Sequence, residues 1–176
     1  MIKEFEGVVS DLISLIEEWE PKLMLLPPDV ITQRRNTQNR TIKQILGHMV
    51  DSASNNTHRI VHLQYRESPL RFPNYASQGN NDRWIAIQNY QEEDWNKLVM
   101  LWKYSNYHIV HIIQQVDDSK LNNQWLYSED KLISLKDGII DYVRHFRLHL
   151  GEIMDLIKSE KQSAGPFGLQ EKSTIL

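Results

Sequence analysis

The sequence predicts an all-α fold, a four-helix bundle with a long connection between its second and third helices. Three observations predict it. Four segments repeat apolar residues at helical spacing, two of them open on paired residues that cap a helix start, and no stretch shows the in-out alternation of a strand. A chain of 176 residues is comfortable as one domain with its own core. We read residues 1–160 as that domain and 161–176 as a C-terminal tail without helical pattern.

The first helix is expected from about Lys3 to Glu20, with Phe5, Val9, Leu12, Ile13, Ile16 and Trp19 on one stripe and Pro21 ending it. The second opens at Thr41, with Gln44 spaced for a capping box, and continues to about Tyr65. Its core stripe is Ile42, Ile45, Met49, Ala53, Ile60 and Leu63. The third, from about Glu92 to Val116, carries Trp95, Leu98, Val99, Trp102, Ile109, Ile112, Ile113 and Val116, with Glu92, Glu93 and Asp94 at the positive end of its dipole. The fourth opens with Ser134 and Asp137 and runs to about Ser159; Leu135, Ile139, Tyr142, Phe146, Ile153 and Ile157 form its buried stripe. The connection ESPLRFPNYASQGNNDRWIAIQNY is long enough to be functional or lid-like.

Hydrophobic residues make up 40% of the chain, charged residues 24%, and the formal net charge is -3. That balance argues against a sequence-independent nucleic-acid binder, which would present a basic face. The absence of cysteine excludes disulfides, cysteine-rich zinc sites and a protein thiol nucleophile. An acidic N-terminus and the lack of a long apolar run predict no signal peptide and no membrane span, hence a cytoplasmic protein.

The chemistry is expected at three histidines. His145 and His149, four apart, share one helix face at the margin of the fourth core stripe. His48 lies beside the stripe of the second helix, in a polar strip with Gln44, Ser52, Asn55, Arg59 and His62. Polar rings at the edge of a core need partners or a metal. Three imidazoles that leave a coordination position open suit a catalytic divalent ion, with zinc or nickel the expected metals. Phe146 stands where a zincin would carry its general-base glutamate, so Asp51 and Glu152 are the candidates for supporting the ligands from behind. Ser52, Asn55 and Arg59 are candidate substrate-binding residues, and Trp84 in the long connection is placed to close over a ligand. His58, His108 and His111 read as surface residues, and His62 as nearer the polar strip.

The segments GHMVDS, with Asn55 and Arg59 following, and DYVRHFRLHLGEI resemble the DinB-like superfamily, most closely its YfiT-like branch, described as metal-dependent hydrolases and bacillithiol transferases. The resemblance covers most of residues 1–160 and implies a four-helix bundle with His48, His145 and His149 as metal ligands. Asp51 and Ser52 match the polar pair after the first histidine. Arg40 departs from a tryptophan frequent among such proteins, and Glu152 from a further histidine.

The resemblance implies a thiol S-transferase, in which a metal-bound low-molecular-weight thiolate attacks an electrophilic substrate. Arg59 and Asn55 would orient the thiol. The alternatives are a hydrolase using metal-bound hydroxide and a non-catalytic, metal-stabilised binding protein. Off-stripe Val61, Leu101 and Leu148 suggest a homodimer.

Overall fold

The computed structural model describes residues 1–77 and 79–159; the expected tail 161–176 lies outside the described residues. Four long helices build the bundle: α1 (Glu6–Met24), α3 (Ile42–Tyr65), α5 (Trp95–Gln114) and α6 (Leu135–Lys158). Two short ones, α2 (Pro28–Gln33) and α4 (Asn80–Gln88), fill the connections. Helices α1 and α3 each pack against both α5 and α6, so the ring around the core runs α1-α5-α3-α6. Chain neighbours α1 and α3 therefore stand diagonally, as do α5 and α6. Among the described residues no helix is long and apolar enough to cross a membrane.

The expected caps explain where two helices begin. Thr41 Oγ1 accepts from Gln44 N at 3.2 Å while Thr41 N donates to Gln44 Oε1 at 3.0 Å, the reciprocal capping box. Ser134 Oγ accepts from Asp137 N at 3.0 Å. Asp94 caps α5 by accepting from Lys97 N at 2.9 Å, so that helix starts at Trp95 rather than near Glu92. The sequence stripes become the core: Phe5, Leu12, Ile16, Leu98, Trp102, Ile109, Phe146 and Ile153 are fully or almost fully buried. Trp102 and Phe146 stack across it with ring centroids 5.7 Å apart.

Three expectations are corrected. Pro21 does not end α1, which continues to Met24 with the proline inside. The loss of one backbone donor is outweighed by contacts two residues further on: Leu23 is fully buried, and its carbonyl accepts from Trp95 Nε1 at 2.9 Å. The long connection is not irregular throughout, since it contains β1 (Leu70–Arg71), α4 and a 3-10 turn at Tyr90–Glu92.

The third correction is the presence of strands. β1 pairs in parallel with β2 (Gln124–Ser128), which pairs antiparallel with β3 (Lys131–Ser134). In this register Trp125 faces Ile133 across the ladder, and Tyr127, at the bulge between Leu126 and Ser128, sets its ring 5.7 Å from that of Trp125. Strand β3 runs directly into α6 through the Ser134 cap, so the hairpin and the histidine-bearing helix are one continuous piece.

Candidate metal centre and adjoining cavity

Helical geometry carries His48 inward from α3 and His145 and His149 inward from α6, two helices that pack side by side. One nitrogen from each ring lies within 4.8 Å of the others, a group that could hold a metal ion. His48 and His149 are buried, and His145 is half-buried. The imidazoles meet edge-on, His48 with centroids 4.7 Å from His149 and 5.7 Å from His145.

The ring nitrogens divide into inner and outer sets. His145 and His149 turn their Nε2 atoms to each other at 3.0 Å. Each outer Nδ1 faces a protein oxygen: Glu152 Oε2 at 2.9 Å from His149, Ser52 Oγ at 3.5 Å from His145, and Tyr75 Oη at 3.3 Å from His48. The His149 hydrogen bond holds the Glu152 carboxyl below the usual range, so the carboxylate accepts and His149 Nδ1–H donates. With Nδ1 engaged by Glu152, the other ring nitrogen of His149, Nε2, is the one turned into the cluster. Burial, reinforced by the neighbouring rings, lowers the pKa of His48 to about 2 and that of His145 to about 4. Both are therefore neutral near pH 7, the form that ligates metal.

This donor set fits a divalent ion. Nitrogens sharing one zinc lie within about 4.2 Å of each other, twice a Zn–N bond of roughly 2.1 Å. A cluster already held within 4.8 Å differs from that by side-chain rotation rather than helix position.

Asp51 is buried on the side of α3 that meets α4 and the 3-10 turn. Its Oδ1 accepts from Tyr90 Oη and Gln88 Nε2, each at 2.6 Å, while Oδ2 has no partner. Burial raises its pKa despite those bonds. The Tyr90 ring lies against Gly47, where an added Cβ would come within 2.2 Å of it. Only a residue without a side chain allows that approach.

A cavity of about 410 Å³ opens beside His145, lined by Ser52, Arg59, Tyr75, Trp125, Tyr142 and apolar side chains of α3, β3 and α6. Ser52 and Arg59, expected at a substrate, are on its wall; Asn55 and Trp84 are not. Asn55 is buried and donates to Asp51 O at 2.9 Å, whereas its neighbour Asn56 reaches the cavity. Trp84 packs edge-on against Tyr75 at 5.5 Å, one ring removed from His48. His62 contacts Tyr65 and Phe72 rather than the histidine cluster.

Sequence reasoning missed Tyr75, Tyr90 and Trp125. Tyr75 and Tyr90 lie in or beside the long polar connection, where no periodicity marks burial. Trp125 sits in a strand that was not expected.

The architecture superposes on YfiT from Bacillus subtilis, described as "a probable metal-dependent hydrolase with an unusual four-helix bundle topology", with a TM-score of 0.76. The fold is that of YfiT. The likeness covers 89% of this chain and 87% of that one at 16% identity. A mycothiol-dependent maleylpyruvate isomerase shares the fold at a TM-score of 0.69 and 12% identity, over 85% of this chain and 60% of the isomerase. This chain thus spans under two thirds of that protein. No family model and no curated protein sequence matches the chain.

Proposed function

We propose that His48, His145 and His149 hold one divalent metal ion, and that the protein is a transferase joining a small thiol to an electrophilic substrate. The observation that carries this reading is the arrangement of ring nitrogens beside a cavity: outer Nδ1 atoms partnered, and the α6 Nε2 atoms facing each other. A bound divalent ion favours the anionic form of a thiol or water brought to it, which is why no protein cysteine is needed. Imidazole ligands suit zinc or nickel.

The chain's own residues orient and shield. Glu152 accepts from Nδ1–H of His149 and so orients Nε2 toward the metal it would hold; Ser52 and Tyr75 stand in the equivalent places for His145 and His48. Asp51 acts through others, tying Tyr90 and Gln88 to α3 behind His48. Ile60, Leu63, Leu135 and Ile139 keep water from the reacting groups.

The likeness to YfiT favours a second reading, hydrolysis, in which water replaces the thiol. One experiment separates the readings. Untagged protein is loaded with zinc or nickel, and metal is measured by elemental analysis in wild type and His48→Ala. Thiols are then tested with electrophiles, and esters and amides without thiol. Near-stoichiometric metal lost in the variant, with turnover that requires thiol, is the expected result. Failure of wild type to retain metal removes the centre, and turnover without thiol selects the hydrolase.

A further inference from the structure

We propose that the Arg59–Trp125 stack is a carboxylate subsite, and that the electrophilic substrate is an apolar molecule bearing one carboxylate. The role of that substrate rests on the function proposed above; the subsite itself does not.

Arg59 reaches the cavity from α3, and its Cζ lies 3.5 Å from the centroid of the Trp125 ring. Stacking fixes the guanidinium plane and satisfies one face of the cation. Its Nη1 donates to Asn56 Oδ1 at 2.9 Å, while the buried Nε has no partner. No carboxylate among the described residues forms an ion pair with it. The acidic residue on the cavity wall, Asp141, pairs instead with Arg144 at 2.6 Å. Arg34 and Arg40 share an unpartnered buried Nε, but Arg34 gives Nη1 to two carbonyls and Arg40 meets the carboxylate of Asp82, whereas Arg59 has one neutral amide oxygen. A half-buried guanidinium with no anion is unfavourable to the fold alone, and its missing counter-charge is supplied by what enters the cavity.

Nη2 has no partner among the described residues and, unlike Nε, is not enclosed, so it is the donor left to meet a carboxylate in the cavity, with the charge of the guanidinium behind it. A single cation suits a monoanion better than a phosphate dianion. Ser52 and Asn56 are polar points on the wall, but Ile60, Leu63, Leu135, Ile139 and the Tyr142 ring make much of it apolar, a face that suits a hydrocarbon body better than a peptide-like or sugar-like one. This favours the electrophile over a polar thiol as the bearer of the carboxylate. His48 and Arg59 are eleven residues apart on α3, about 16 Å of helix rise, so several bonds must separate the carboxylate from the reacting atom.

The test is calorimetric titration of the full-length protein with 4-phenylbutyrate and with 4-phenylbutyramide, its uncharged counterpart. Wild type is expected to bind the acid about tenfold or more tightly than the amide. Arg59→Gln is expected to bind the two equally, and Arg59→Lys to keep only part of the preference, since it restores charge without the stacked guanidinium that directs it. Equal binding of acid and amide by wild type overturns the subsite without any variant, as does a preference retained in Arg59→Gln. Neither titration needs metal or turnover. A failed subsite with metal still retained therefore leaves the metal centre standing, and the converse result leaves the subsite standing.

Discussion

Two histidine pairs in this chain have the same spacing and different fates. His145 and His149 on α6 meet edge-on with centroids 4.4 Å apart and Nε2 atoms 3.0 Å apart. His58 and His62 on α3 lie nearly parallel at 6.4 Å, with His58 exposed and His62 bonded outward to Tyr65. The i, i+4 relation only puts two rings on one helix face. What differs is the residue that follows the first histidine and the helix opposite. Phe146 is 2% exposed and roots the first pair in the core, facing His48; Arg59, at the same place in the second pair, is half-buried, His58 itself is exposed, and among the described residues no third ligand faces that pair.

The comparison breaks first at residues between the paired histidines. Phe146→Ala is expected to cost about 3–5 kcal/mol in urea unfolding, against less than about 0.5 for Val61→Ala, at a position 43% exposed. Similar losses would mean that the second face is not open. Glu152→Ala removes the acceptor that holds the His149 tautomer, and metal affinity measured by competition with a chelator should fall roughly 10–100-fold.

Acid sharpens the contrast. In metal-free protein His48 and His145 have lowered folded-state values, so the unfolded chain binds more protons below about pH 6.5. Their contribution is complete above that pH and is lost as pH falls toward 4. Each ring should account for about 2 kcal/mol by pH 5. The stability difference between wild type and His48→Gln/His145→Gln, measured from pH 7 to 5, should therefore shrink on acidification. A constant difference would contradict the burial of these rings as neutral groups. The smallest effect is a null: His62→Ala should leave the metal content unchanged.

The bundle was legible because its signals are local. Thr41 with Gln44, Ser134 with Asp137, and the apolar stripes each act within one helix, and the YfiT-like fold follows from them. Pro21 misled because the contacts that carry α1 onward, Leu23 burial and the Trp95 bond, come from a distant helix. The sheet was hidden by chemistry on its outer face. Trp125, Tyr127 and Ile133 point to the cavity, but Leu126 and Leu132 occupy the alternate positions, so WLYSEDKLIS shows no polar-apolar rhythm. The three histidines were visible as a pattern of faces. The supporting Tyr75 and Tyr90 were not, because their positions depend on how the 66–94 connection folds over α3.

The ring order α1-α5-α3-α6 also has a consequence for how the chain assembles. The inward polar row on α3, His48 and Ser52, meets His145 and His149 of α6, the helix that follows the other three long helices in the described chain. Without α6, the other three long helices would leave an apolar groove along α3 and the His48 and Ser52 side chains short of partners, a poor state in water or in a collapsed core. Docking α6 and completing the histidine cluster are therefore coupled, and a ligand of that cluster would act as a latch holding α6 against α3.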